Sequence, residues 1–327
     1  MVHAEETVER LAAIPELTVL TAAPLSRYTR FAIGGPADIY AETASAEAFI
    51  AALQVARQSS QNYIVIGGGT NLIVSDDGFR GIVLRFIAEH IVASGNLVVA
   101  DGGAVLQDLV DFTVDRGLKG LETLAGIPGS VGAAIYGNAG AYGHSISERV
   151  RSVRFYDDRE VRVFDQESCE FHYRESIFKR HKNWIIFSTE LAMETGDASE
   201  LRKISGDIVK VRNEKFPVTM KCAGSIFKNL LLAELPVLIA AQVPARVIRE
   251  GKVPAAYFLE EVGAKGMTRG DIHVASYHAN LLYNGGAGTA ADLRALIVDL
   301  KARVGAKFGI ALEEEVQYVG FPDAARP

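Results

Sequence analysis

Apolar side chains recur at helical spacing over 45–58, where Phe49, Ile50, Leu53 and Ala56 share a face and Ser45 stands at the cap position. Directly after it, 63–66 (YIVI) is a short apolar run with β-branched residues and reads as a buried strand. That strand runs into Gly67-Gly68-Gly69-Thr70-Asn71-Leu72. The same reasoning predicts strands over 81–86, 96–100, 150–156, 160–164 and 184–190, a final strand over 312–319, and helices over 106–116 and 199–214. A last helix is predicted over 289–304, capped by Thr289, with Leu293, Leu296, Ile297, Leu300 and Val304 on one face and its end near Gly305. Strands and helices alternate without the regular spacing of a doubly wound sheet, so the fold reads as α+β in several layers.

A length of 327 residues suggests about two domains at roughly 150 residues each. A change of composition over 215–221 marks a boundary for a C-terminal domain. The formal charge of −6 leaves no electrostatic footprint for nucleic acid, which recruits clustered Lys and Arg. The most apolar stretch, 230–248, is broken by Glu234, Pro236, Gln242 and Pro244, so no membrane span is expected. The first residues lack a basic segment leading into an apolar run, and no signal peptide is expected. Cys169 and Cys222 are too few for a disulfide framework and fit a reducing cytosol, and the histidines show no metal-ligand spacing. Neither a structural nor a catalytic metal is expected.

Two glycine-rich segments carry the candidate chemistry. The first, 67–72, follows a strand, so its N–H groups form either a nest for phosphate oxygens, with Thr70 and Asn71 as added donors, or a plain tight turn. It is neither GxGxxG nor GxxxxGK[ST], which argues against a Rossmann or Walker loop. In the second, Gly126, Gly129 and Gly132 recur every three residues in AGIPGSVGAA, and Ser130 offers a further donor. Two such loops suit a ligand with two phosphates, a dinucleotide first; tight strand-on-helix packing is the competing reading.

These motifs resemble the UDP-N-acetylenolpyruvoylglucosamine reductases of bacterial peptidoglycan synthesis. Seven blocks stand in that family's order: PLSRYTRFAIGGPAD (24–38), IGGGTNLIVSDDGFRGIVL (66–84), GLETLAGIPGSVGAAIYGNAGAYG (120–143), YRESIF (173–178), AGSIFKN (223–229), HANLLYN (278–284) and LEEEV (312–316). The resemblance implies an α+β chain with a two-part FAD-binding domain of the vanillyl-alcohol-oxidase-like (PCMH-type) class over 1–86 and 87–214. A C-terminal α+β domain over 215–327 would close the substrate against the flavin. It implies FAD held by Gly67, Gly68, Gly69, Thr70, Asn71, Leu72, Ala125, Gly126, Pro128, Gly129, Ser130 and Gly132. Tyr173-Arg174 is followed almost at once by 180–186, which matches the family's short form without an extra substrate loop.

The implied reaction is NADPH-dependent reduction of the enolpyruvyl ether of UDP-N-acetylglucosamine to a lactyl ether, in a cytoplasmic enzyme expected to be a monomer with no nucleic-acid or membrane partner. The resemblance assigns its chemistry to three residues. Arg174, otherwise an ordinary surface arginine, can fork onto the substrate carboxylate and is charged at any working pH. Glu315, within an acidic run that would otherwise read as solvated, can stabilise the enolate; strand alternation puts Glu313 and Glu315 on one face and Glu314 on the other. Ser225, otherwise a turn serine after Gly224, would give the α-carbon its proton, with Lys228 or a water polarising the hydroxyl. Tyr173, Arg212, Lys215, Lys228 and Asn229 match positions that meet the nucleotide-sugar. His278 and Asn280 either position ligand or hold the domain together. Leu230 and Ala275 depart from the family, which usually has Pro and Ser there. A flavoprotein oxidase sharing only the glycine loops, or a non-enzymatic nucleotide-sugar binder without flavin, are the rival readings.

Overall fold

The computed structural model describes residues 2–322. Contacts divide the chain into two units, one holding residues up to 23, 38–68 and 81–214, the other 24–37, 69–80 and the chain from 215 on. One division between the units falls at 214/215. Two short segments of the expected first subdomain, 24–37 and 69–80, group instead with the C-terminal region; the outer ends of the expected domains, Met1 and 323–327, lie outside the described residues.

The two larger sheets of the described residues lie mainly in the first unit. One orders its strands Thr18–Pro24, Pro36–Thr43, Phe79–Phe86, Tyr63–Ile66, the last two parallel with Tyr63 opposite Ile82. The helix Ala46–Gln58 covers it: Phe49, Ala52, Leu53 and Ala56 are buried, and the Ser45 hydroxyl accepts the Ala48 N–H at 3.2 Å, a cap worth about 1 kcal/mol. Phe49, Phe86 and Phe187 meet edge to face at 5.0 to 6.2 Å in this core, the arrangement that ring quadrupoles favour. The second sheet is antiparallel, in the order Val161–Asp165, Val150–Tyr156, Ile185–Ala192, Leu97–Asp101, Ile91–Ser94. The helices Leu106–Asp115 and Val131–Tyr136 contribute to its own core, in which Trp184 packs among Phe155, Phe164 and Phe178. The predicted helix over 199–214 is present as Ala198–Lys215.

The second unit packs the helices Ala255–Glu261 and Ala290–Phe308 on a three-stranded sheet of Thr268–Arg269, Ile272–Val274 and Leu282–Asn284. Leu293, Leu296, Ile297, Leu300 and Val304 are all buried along Ala290–Phe308, each removal from water stabilising by about 1.5–3 kcal/mol. This helix passes the expected stop at Gly305 and ends at Gly309, which adopts φ +66° and returns its N–H to the Gly305 carbonyl at 2.9 Å. A glycine inside a helix costs only about 1 kcal/mol, whereas the left-handed residue that closes a helix strongly favours glycine. The N-terminus is capped twice. Thr289 Oγ1 accepts the Asp292 N–H, and Asp76, far away in the chain, accepts the N–H groups of Ala290 and Ala291 at 2.8 and 2.9 Å through its two carboxylate oxygens. Asp76→Ala is therefore expected to lower the unfolding free energy by about 1–2 kcal/mol, read by urea titration with far-UV circular dichroism. Asp77→Ala is the exposed control.

The final strand is shorter than expected. Only Gln317–Val319 is regular, running parallel to Leu72–Val74 with Gln317 opposite Leu72. Upstream of it, 313–315 pairs irregularly with 226–228, through the single bridge Phe227 to Glu314. Period-two burial nevertheless persists, with Leu312 and Val316 in the core and the Glu314 side chain 8% exposed. Leu230, where a proline is usual, begins a two-residue ladder opposite Val253. Among the described residues no helix is long and apolar enough to cross a membrane.

Candidate active site

In the first unit the two glycine segments meet. A Cβ built on Gly67 would lie 3.1 Å from Ser130 Oγ, and one on Gly68 would lie 3.4 Å from Ser130 N and 3.5 Å from Gly129 Cα. The walls are main chain and a hydroxyl, and neither 66–72 nor 125–135 contains an acidic residue. A surface of backbone groups without carboxylates is the donor set that a diphosphate requires, so these residues fit the pyrophosphate of FAD. Ser130 also caps Val131–Tyr136, its Oγ accepting the Ala133 N–H at 3.3 Å.

Not every residue expected in the cradle is free to serve it. Gly132 gives its N–H to the Gly102 carbonyl at 2.8 Å, so close packing accounts for it. Gly126 has φ +74°, donates its N–H to Gln107 Oε1 at 2.6 Å, and lies under Arg212, whose Cδ would be 2.9 Å from an added Cβ. Arg212 is thereby seated on the second loop, while Ala125 is fully buried behind it and Pro128 lies in the turn between Gly126 and Gly129. Gly69, Thr70, Asn71 and Leu72 belong to the second unit, where Gly69 O accepts the Arg30 N–H at 3.1 Å and Leu72 enters the parallel pair with Gln317. Asn71 Nδ2 donates to the Glu315 carbonyl at 2.8 Å.

Tyr173 and Arg174 form the tip of a tight turn closed by reciprocal hydrogen bonds between His172 and Glu175, at 3.0 and 3.2 Å. Arg174 has φ +58°, a conformation that costs a non-glycine residue roughly 1–3 kcal/mol and persists only where neighbours enforce it. Those neighbours are identifiable. Lys179 Nζ donates to the Arg174 carbonyl and to Glu175 Oε1, both at 2.9 Å; Asn138 Nδ2 donates to His172 O at 2.8 Å; buried Ser176 donates to Tyr136 O at 2.7 Å. The guanidinium donates to Gly140 O at 3.1 Å and stands 5.3 Å from the Tyr173 ring centroid.

In the second unit Ser225 and Glu315 are brought onto one ribbon. Ser225 bridges Leu281, Ile226 donates its N–H to Asn280 O at 3.1 Å, and the Asn280 carboxamide accepts the Phe227 N–H and donates to Phe227 O, each at 2.9 Å. From the other side Glu315 donates its N–H to Ile226 O at 2.7 Å and Lys228 donates its N–H to Glu313 O at 2.9 Å. Asn280 is 2% exposed, so the first asparagine of the HANLLYN block is a strut of the domain. His278 Nδ1 accepts the Asn280 N–H at 3.2 Å; burial, then the Lys215 ammonium, hold its imidazole below the usual histidine range, neutral at pH 7. The acidic run is not uniformly solvated: Glu313 is exposed and meets Lys228 Nζ at 2.5 Å, while Glu314 pairs with Lys301 at 2.8 Å. Asn229 Oδ1 accepts the Ala255 N–H at the start of Ala255–Glu261, and Lys215 is exposed, its carbonyl taking the Tyr277 hydroxyl. Cys222 and Cys169 are both buried, and burial, with Asp165 adding to it, pushes the Cys169 thiol up to about 12.

Sequence reasoning missed Asn138, Lys179 and Gln107, whose work is to hold main-chain groups. Only Asn138, the lone amide of a Gly/Ala run, left a signal in the sequence; in the structure it takes φ +43°.

Comparison with known proteins gives this arrangement its context. Residues 37–162 match the family model described as an FAD binding domain, and 216–319 match the C-terminal domain of UDP-N-acetylenolpyruvoylglucosamine reductase. The chain is similar to the UDP-N-acetylenolpyruvoylglucosamine reductase of Solibacter usitatus, 67% identical over 311 residues, which is 95% of this chain and all of that one. It is also similar to the protein of that name in Alkaliphilus oremlandii, at 35% identity over 94% of this chain and 95% of the other. The crystal structure of the UDP-N-acetylenolpyruvylglucosamine reductase of Thermus caldophilus superposes with a TM-score of 0.71 at 26% identity, covering 93% of this chain and 98% of that one.

Proposed function

Because the chain belongs to the UDP-N-acetylenolpyruvoylglucosamine reductase family of flavin-dependent oxidoreductases, we propose that it converts UDP-N-acetylglucosamine enolpyruvate to UDP-N-acetylmuramate with NADPH, in the making of peptidoglycan precursors. Gly67, Gly68, Gly129 and Ser130 would hold FAD, which would supply hydride-transfer chemistry between NADPH and the β-carbon of the enol ether. The protein's residues orient the substrate, stabilise charge and supply one proton.

Addition at the β-carbon leaves negative charge at the α-carbon, spread onto the substrate carboxylate. Arg174 answers that charge with a planar fork whose backbone is already fixed by Lys179 and Asn138, so little reorganisation is needed as charge develops. Glu315 presents a carboxyl that shares a proton with the enolate. Ser225 Oγ delivers the proton to the α-carbon, a task for an alcohol only when the acceptor is strongly basic. Arg212, Lys215, Lys228, Asn229 and Tyr173 bind the nucleotide-sugar, the cations toward its diphosphate. NADPH would borrow the substrate's site in alternating turns, since the chain carries no separate dinucleotide fingerprint.

The observation that carries this reading is the Glu315 N–H to Ile226 O hydrogen bond, which puts the expected proton donor and the expected carboxyl on adjacent ribbon segments although 90 residues separate them in sequence. The test is anaerobic reduction of the yellow protein by NADPH followed by the enolpyruvyl nucleotide-sugar. Bleaching and then recovery of the oxidised spectrum is expected. Bleaching without recovery would assign the chain another substrate.

A further inference from the structure

Resting on that reading, we propose that Asn71 is a positioning residue for Glu315, and that its carboxamide serves this purpose instead of binding the cofactor's phosphates. Asparagine at the end of a glycine loop reads from sequence as one more donor to the nest. In the structure its Nδ2 donates to the main-chain carbonyl of Glu315 at 2.8 Å, while its own carbonyl accepts the Gln317 N–H at 3.0 Å. Asn71 therefore grips the chain on either side of Val316, at the point where the irregular run 313–315 enters the regular pair of Leu72–Val74 with Gln317–Val319.

The consequence falls on one side chain. The N–H of Glu315 is held by Ile226 O at 2.7 Å and its C=O by Asn71, so both peptide groups flanking its Cα are fixed. With the carboxamide removed, the peptide between Glu315 and Val316 loses its side-chain tether and can rotate, and rotation there swings the direction in which the Glu315 side chain leaves the backbone. The main-chain bonds from Glu315 N–H to Ile226 O and from Gln317 N–H to Asn71 O remain in such a variant, so the ribbon is kept and the loss falls on the Glu315 carbonyl. A proton-sharing carboxyl displaced by an ångström loses much of its effect on a transition state, on the order of a hundredfold. Asn71 thus acts on the reaction without touching the substrate, and it does so from the loop whose first glycines fit the diphosphate.

Asn71→Ala and the isosteric Asn71→Asp, which cannot donate this bond as a carboxylate, separate the possibilities when the two half-reactions of the FAD-loaded enzyme are followed by stopped flow. FAD affinity and the rate of NADPH bleaching are expected within about twofold of the wild type, and reoxidation at saturating nucleotide-sugar about tenfold to a hundredfold slower with substrate affinity kept. Combining Asn71→Ala with Glu315→Gln is expected to add little to the loss caused by Glu315→Gln alone, because both act through one carboxyl. A tenfold or greater fall in FAD affinity, equal slowing of both half-reactions, or independent additive losses would overturn the proposal. Should the alanine variant not fold, the aspartate variant carries the same comparison. A wild type that reoxidises normally beside variants that also do so refutes the role of Asn71 alone, whereas a wild type that never reoxidises refutes the functional reading beneath it.

Discussion

Ser225→Ala is expected to slow reoxidation by the enolpyruvyl nucleotide-sugar by about 10²–10⁴-fold, the usual worth of a positioned proton donor, while NADPH bleaching stays at the wild-type rate. The asymmetry follows from where the proton is used: the first half-reaction moves only hydride, and the α-carbon demands its proton in the second. Ser225 sits on a segment held from both sides, by Asn280 on Ile226 and Phe227 and by Glu315 on Ile226, so loss of one hydroxyl leaves the ribbon intact. The variant should melt within a degree or two of the parent. Rapid-reaction absorbance at the flavin band measures both rates on one sample. Equal slowing of both halves would remove Ser225 from the chemistry, and unchanged reoxidation would move the proton to another group.

Arg174→Lys is expected to cost about 10²–10³-fold in the same half-reaction even though it keeps a positive charge. An ammonium at that position offers a point charge on a flexible stem, and cannot fork onto a carboxylate as the guanidinium does. The turn that carries it should survive, because its closure depends on main-chain bonds between His172 and Glu175 and on Lys179, Asn138 and Ser176, none of which involves the guanidinium. Lysine inherits the φ of +58° with the same strain, so a difference between the two proteins reports the head group. Steady-state kinetics should show kcat falling by more than KM rises. A loss confined to KM would make Arg174 a binding residue whose contact is equal in ground and transition states.

What the chain declared about itself divides by range. Periodic elements read correctly wherever one face is apolar and one end carries a local stop or start: Ser45 with Phe49, Leu53 and Ala56, and Thr289 with Leu293, Leu296 and Leu300. Two local readings failed for local reasons. Gly305 looked like a helix end because glycine is the commonest one, yet only Gly309 takes the left-handed conformation that closes the helix. The strand over 312–319 was half right because alternation of Leu312, Glu314 and Val316 marks burial, whereas regular pairing also needs a partner in register, which only Leu72–Val74 supplies.

The candidate site was legible mainly as residue types inside motifs, and opaque where its working parts are main-chain groups fixed from afar. Nothing near Asp76 announces that it caps a helix more than two hundred residues later, nor near Asn71 that it grips Glu315. Lys179 looks like an ordinary surface residue until the carbonyl it satisfies is located. Such positions have no sequence period, because what they recognise is a peptide group and every residue has one.

On the proposed function this chain reduces an enolpyruvyl ether, and the proton arrives separately from the hydride. Turnover of UDP-N-acetylglucosamine enolpyruvate with NADPH in deuterium oxide, followed by NMR of the product, tests it most directly. The expected product is a lactyl ether with deuterium at the α-carbon. Recovery of unchanged enol ether while NADPH is consumed, or a lactyl ether carrying only protium at the α-carbon, would contradict it.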